Sequence, residues 1–340
     1  MKFISYLMLV FLFFLCSCNN NKDRAIELFK KAHAEDSLGN YKAAIADINS
    51  LLQLMPNVIG AYAERGIAKM KIKDYTGALK DMDTSIRLGP TIAEVYCNRG
   101  MVKIYLKDYQ GAANDLNKAL ELKPNSAVAY KNFGYLCLDV QEDSNALKCS
   151  TKSIELNPKD PQTFNNRSLA KFNLMDYRGA LDDLNTAISL NPSDPEFYNG
   201  RGRVKNKMGN HIGAIEDFNK AISLDSNNAG YYNNRGLDKN ALLNYNGAME
   251  DYNKAIQIDS TDAIAYCNRG VTRQILKNLA EAIQDYNTAM RLAPDQAYNY
   301  KCRGWAKINL GDKEGACADF SKAVELGSTN AKDSVAKYCH

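Results

Sequence analysis

The sequence predicts an all-α chain: a solenoid of nine 34-residue helix-turn-helix units. Three observations carry this prediction. An Arg-Gly dipeptide recurs at 65–66, 99–100, 201–202, 235–236, 269–270 and 303–304, with Phe133-Gly134 and Arg167-Ser168 filling the two gaps, so every step is 34 residues. An Ala follows each of these small residues by twelve positions, from Ala78 to Ala316, and Ala32 and Ala44 extend the pattern one period backward. A fixed period of this length marks stacked hairpins, none of which can bury its apolar face alone. The composition agrees. The chain has 340 residues, 45% hydrophobic and 24% charged, which excludes a disordered tail, a collagen and a multispan membrane protein.

The first seventeen residues stand apart from the repeat. Lys2 precedes an apolar run from Phe3 to Cys16, too short to span a bilayer stably but of the length of a secretory signal core. The run ends in Leu15-Cys16-Ser17-Cys18, which resembles the lipobox of bacterial lipoproteins, with Leu15 at −3, Ser17 at −1 and Cys18 at +1. The resemblance implies removal of residues 1–17, a thioether-linked diacylglyceryl group on Cys18 and an acylated amino terminus. Several acyl chains on one residue give stable anchoring where a single chain does not. Residues 18–24 then form a polar tether. Asn19, rather than Asp, follows the lipidated Cys, which favours the outer membrane of a bacterial envelope and leaves its periplasmic or surface face open.

Within the array the units are 25–58, 59–92, 93–126, 127–160, 161–194, 195–228, 229–262, 263–296 and 297–330, taking Ala25 as position 1 of the first. Positions 4, 8 and 11 share one helical face. Position 4 is aromatic in eight units, beginning with Tyr62, and fills the space beside the small residue at 8 and the Ala at 20. Asp or Asn at position 16, as in Asp74 and Asn210, suits the turn and caps the second helix. Asp160-Pro161 and Asp194-Pro195 open first helices, and Pro at position 32, as in Pro56 and Pro294, closes second ones. Gly at position 19, as in Gly77, costs about 1 kcal/mol relative to Ala in a helix, so it implies a close backbone approach or a loosened first turn. This grammar resembles the tetratricopeptide repeat (TPR) family over residues 25–330. The resemblance implies a right-handed superhelix whose first helices line a concave face. Residues 331–340 are expected to cap the last unit, with Val335 and Tyr338 covering Trp305.

Position 7 is Arg in seven units and position 23 Asp in eight; in the fourth unit both change together, to Phe133 and Cys149. Joint loss within one unit points to pairing inside the unit. It predicts an interhelical ladder of Arg65 with Asp81, Arg99 with Asp115, Arg167 with Asp183, Arg201 with Asp217, Arg235 with Asp251, Arg269 with Asp285, and Arg303 with Asp319. Lys31 keeps the charge opposite Asp47.

The family's groove positions fall on Asn98, Asn132, Asn166, Asn234 and Asn268 at position 6, where an amide can donate to and accept from a peptide backbone. Tyr105, Tyr135 and Phe172 supply apolar contacts, and Lys131, Arg203 and Lys207 a basic character. The competing reading makes the amides solvated surface groups and the apolar residues repeat-to-repeat packing. A carboxylate clamp built on Lys131 is incomplete, because its expected Asn is Tyr135. Net charge is +4, three His are far apart, and no nucleotide loop or nucleophile elbow occurs. No enzymatic activity, cofactor, metal or nucleic acid is therefore expected. Seven Cys beyond Cys18 are irregularly spaced and not expected to form a disulfide framework, although Cys137 and Cys149 share one unit and are placed to pair. The expected function is a membrane-anchored scaffold that binds a peptide or partner subunit in envelope assembly or secretion. The alternatives are a self-associating spacer and a regulatory subunit of an envelope enzyme; the oligomeric state stays open.

Overall fold

The computed structural model describes residues 20–339, and every regular element among them is an α-helix. Cys18 and the apolar leader lie outside the described residues. The chain divides into two compact units, Met1–Leu174 and Met175–His340, with the boundary inside the fifth repeat. The first contains α1 (Asn20–Ser37), α2 (Tyr41–Leu54), α3 (Ile59–Lys71), α4 (Tyr75–Leu88), α5 (Ala93–Tyr105), α6 (Tyr109–Leu122), α7 (Ala127–Asp139), α8 (Asp143–Leu156) and α9 (Pro161–Asn173). The second contains α10 (Tyr177–Leu190), α11 (Pro195–Lys207), α12 (His211–Leu224), α13 (Ala229–Ala241), α14 (Tyr245–Ile258), α15 (Ala263–Ile275), α16 (Leu279–Leu292), α17 (Ala297–Leu310), α18 (Lys313–Glu325) and α19 (Thr329–Tyr338). Residues 20–24, expected as tether, are the first turn of α1.

Each hairpin closes around small residues. The position-20 alanines from Ala78 to Ala316 are fully buried. Six of the position-8 glycines lie under a large side chain of the second helix, while Gly134 faces Ser150. In the first unit Gly66 and Gly100 face Met82 and Leu116; in the second, Gly202, Gly236, Gly270 and Gly304 face the rings of Phe218, Tyr252, Tyr286 and Phe320. A Cβ on any of these six would come within 2.6–3.1 Å of that side chain. The small residue is thus one half of a small–large pair.

The recurring Gly at position 19 has a local cause. Asp74, Asp108, Asp176, Asn210, Asn244 and Asp312 each cap the second helix, accepting a hydrogen bond from the backbone N–H of the Gly three residues on. A Cβ there would collide with the capping side chain. Where position 19 is Ala43, Asn145 or Glu281, the residues before those helices, Asn40, Glu142 and Asn278, make no side-chain cap. The glycine marks a close approach, not a loosened turn.

The turn inside every described hairpin passes through left-handed backbone at position 15. Gly39, Gly209 and Gly311 occupy it in three repeats, but Lys73, Lys107, Gln141, Met175, Leu243 and Lys277 hold φ of 62–68° in the others. A side chain there costs roughly 1–2 kcal/mol.

The terminal segment is helical. α19 folds back on α18, and Trp305 sits edge-on to Phe320 and Tyr338, each ring 5.4 Å away. A disulfide joins Cys317 to Cys339. The one pairing considered from the sequence, Cys137 with Cys149, is not formed, and the disulfide lies between two cysteines not considered as a pair. Spacing alone hid the pair, because only the return of α19 brings Cys339 against α18.

Candidate functional site

The recurrent charged residues form joints between helices. In six described hairpins the position-7 Arg reaches the position-23 Asp, with Nη–Oδ distances of 2.5 Å (Arg65–Asp81, Arg99–Asp115, Arg235–Asp251, Arg303–Asp319) and 2.6 Å (Arg201–Asp217, Arg269–Asp285). Arg167 and Asp183 belong to the same repeat but to different compact units; Arg167 lies over the Phe164 ring at 5.6 Å, and Asp183 is buried. Two further recurrences complete the joint. A second cation at position 11 binds the same carboxylate: Lys69, Lys103, Lys205, Lys239, Arg273 and Lys307, at 2.7–2.9 Å. The Arg also donates from Nη1 to position 25 of the preceding repeat, as Arg65 to Asn49, Arg99 to Asp83 and Arg235 to Asn219. The six carboxylates are only 3% exposed, so each is a buried anion held between two cations. The bond from Asp115 raises Arg99 well above the usual guanidinium value. Arg65, Arg99, Arg201, Arg235 and Arg269 also stack on the position-4 aromatics, as Arg65 over Tyr62 at 5.3 Å and Arg235 over Tyr232 at 5.4 Å. Their donors and faces are committed to the fold.

First helices of successive repeats pack directly against one another in both units, α3 through α9 and α11 through α17. The position-6 amides serve this packing. Asn132 is buried and donates to the Cys97 carbonyl at 3.0 Å; Asn234 donates to Asn199 at 3.0 Å and Asn268 to Asn233 at 2.9 Å. Asn166 is buried and accepts from Gln162. Asn132 and Asn166 are buried and Asn234 and Asn268 half-buried, so each of the four has at least one amide atom engaged inside the fold. Three of the four reach 35 residues back, to position 5 of the preceding first helix. Asn98 alone of the five is half-buried with no such bond.

In the first compact unit the aromatic groove candidates meet one another, with Tyr105 still 41% exposed. Tyr105 stacks on Tyr75, ring centroids 4.8 Å apart, and lies 6.2 Å from Tyr135. Burial raises both Tyr105 and Tyr135 above the usual phenol value. Lys131 pairs with Asp160 at 3.0 Å, and Phe172 is half-buried.

The second unit differs. On the first-helix face of repeats seven to nine, Leu237 is 40% exposed, Ile264 64%, Ile275 46% and Tyr298 51%. They occupy positions 9, 2, 13 and 2, one face of a helix. Repeat six contributes exposed Arg203 and Lys207, and Lys301 lies over the Tyr298 ring at 5.1 Å. Tyr105 of repeat three, expected to face the groove, is itself 41% exposed, so repeats seven to nine add to the apolar surface expected in repeats three to five. Beneath this face Asp238 of α13 is fully buried, accepting from Asn206 at 2.8 Å and lying 2.7 Å from His211 Nδ1. Its second oxygen has no partner, and burial raises it above the usual carboxylate value.

Tetratricopeptide-repeat profiles match residues 93–126, 195–228 and 263–296, and a further TPR profile matches 244–274. TPR repeats are therefore present in both units. No curated protein matches the sequence. Among solved structures, the Cut9–Hcn1 hetero-tetramer of the APC/C aligns with a TM-score of 0.67 at 13% identity, covering 99% of this chain and 80% of that one. A tetratricopeptide repeat protein from Parabacteroides merdae aligns at 0.55 and 20% identity, covering 74% and 99%. Pseudomonas aeruginosa pilF aligns at 0.54 and 20%, covering 61% and 94%. At such identities the likeness is one of fold: an all-α helical-repeat solenoid.

Proposed function

We propose that this chain is a non-catalytic scaffold that holds a peptide segment or partner subunit on the first-helix face of repeats seven to nine. The observation that carries the reading is the run of exposed Leu237, Ile264, Ile275 and Tyr298 beside a basic edge. Contiguous exposed apolar side chains rimmed by polar ones mark interaction surfaces. Here most of the recurrent polar groups are engaged within the fold, so recognition falls mainly to the exposed apolar residues of the first helices. A fitting ligand offers apolar side chains and a negative charge. The Cut9–Hcn1 assembly, a hetero-tetramer with this fold, supports the general role.

The lipobox-like Leu15-Cys16-Ser17-Cys18 supports attachment through lipid on Cys18 to a bacterial envelope, with the outer membrane favoured by Asn19. The scaffold then serves envelope assembly or secretion. Capture from detergent-solubilised envelope tests the reading, comparing wild type with Leu237→Asp/Ile264→Asp/Tyr298→Ala. Loss of one specific partner at an unchanged melting temperature supports it. Undiminished capture places recognition elsewhere, and mass that rises with concentration in light scattering favours self-association.

A further inference from the structure

The fourth repeat lacks the charged joint altogether. Where seven of the other hairpins place Arg, a second cation and Asp at positions 7, 11 and 23, this one has Phe133, Cys137 and Cys149. Positions 11 and 23 are partners elsewhere, with the cation nitrogen 2.7–2.9 Å from the carboxylate. The two cysteines therefore stand on facing helices, α7 and α8, at the places that meet across every charged joint described above. Cys137 is buried, Cys149 half-buried, and neither is in a disulfide. The Cys317–Cys339 bond shows that the fold accommodates oxidised cysteine elsewhere.

We propose that Cys137 and Cys149 form a second, reversible disulfide site, a covalent clasp in place of the missing ion joint. The oxidant class is a small-molecule disulfide. The more exposed Cys149 attacks as thiolate, breaking the oxidant's S–S bond and forming a mixed disulfide while one thiolate leaves and takes up a proton. Cys137, losing its own proton, then attacks Cys149 Sγ and expels the second thiol. The protein gives up two electrons and two protons, and the oxidant becomes two thiols. The order of attack agrees with the direction of the thiol acidities, since interaction with Cys137 lowers Cys149 and raises Cys137.

The test uses the full chain, reduced and then treated with oxidised glutathione, with peptide mapping by mass spectrometry. The expected product links the Cys137 and Cys149 peptides with loss of two hydrogens, and Cys137→Ser stops at glutathionylated Cys149. Hydrogen exchange of α7 and α8 amides is expected to slow by about tenfold or more on oxidation. Glutathione retained on wild-type Cys149 without the link, a link from Cys149 to another cysteine, or unaltered exchange after linkage would overturn the proposal. Neither reagent nor readout involves a partner, so the outcome is independent of the interaction face.

Discussion

The hairpins of the seventh and fourth repeats have the same backbone plan and opposite interiors. In the seventh, Asp251 lies buried between Arg235 and Lys239, and Arg235 reaches back to Asn219. In the fourth, Phe133, Cys137 and Cys149 occupy the matching places with no formal charge. Both hairpins pack Ala at position 20 with no exposure, so the charged joint is not what makes the fold. A buried carboxylate between two cations constrains how the helices can meet, so registry is the role the geometry suits. The fourth repeat shows that the whole set can be exchanged when all its members change together.

The largest effect expected from breaking this comparison is at Asp251. Asp251→Ala leaves Arg235 and Lys239 facing each other without their anion and should destabilise the second unit by about 3–5 kcal/mol in urea unfolding. Next, Cys149→Asp alone buries an anion where Phe133 and Cys137 offer no cation, and should cost about 3 kcal/mol. Adding Phe133→Arg and Cys137→Lys should recover most of that loss; a triple variant no more stable than the single would show that the joint depends on more than these positions. Asn268→Ala removes one bond between first helices and should cost about 1 kcal/mol without weakening partner capture. Leu243→Gly relieves left-handed backbone at a side chain 70% exposed, and should raise stability by about 1 kcal/mol.

The smallest expected effect depends on pH. Asp238 has a folded-state value raised by burial, so the folded chain binds its proton more readily than the unfolded one. Stability from this group is greatest at acid pH and falls as pH rises through the raised value. Asp238→Asn should therefore melt above wild type at pH 7, with the gap closing as pH drops into the ordinary carboxylate range. A gap that widens on acidification would mean the His211 contact outweighs burial.

The register was readable from Arg-Gly and Ala alone, because small residues recur wherever helices approach. The Arg–Asp pairing was readable through its joint loss in the fourth repeat. Lys69, Lys103 and their equivalents recur just as strictly, yet their partner is twelve residues away on another helix, an offset that no single-helix pattern suggests. The bonds of Asn132, Asn234 and Asn268 were not readable because their acceptors lie 35 residues back, across the contact between successive first helices. Leu237, Ile264 and Tyr298 share no repeat position as a set, so only their exposure reveals them. The Cys317–Cys339 bond needed the fold of α19.

Site-specific photocrosslinking tests most directly the claim that recurrent residues build the joints and non-recurrent ones on the first helices meet the partner. Ile264 and Ile212 are matched probes, 64% and 65% exposed, the first on a first helix and the second on α12, a second helix. A photoreactive residue at 264 is predicted to trap a discrete protein or peptide from envelope, and one at 212 to trap none. Equal trapping at both sites, or trapping at 212 alone, would contradict the account.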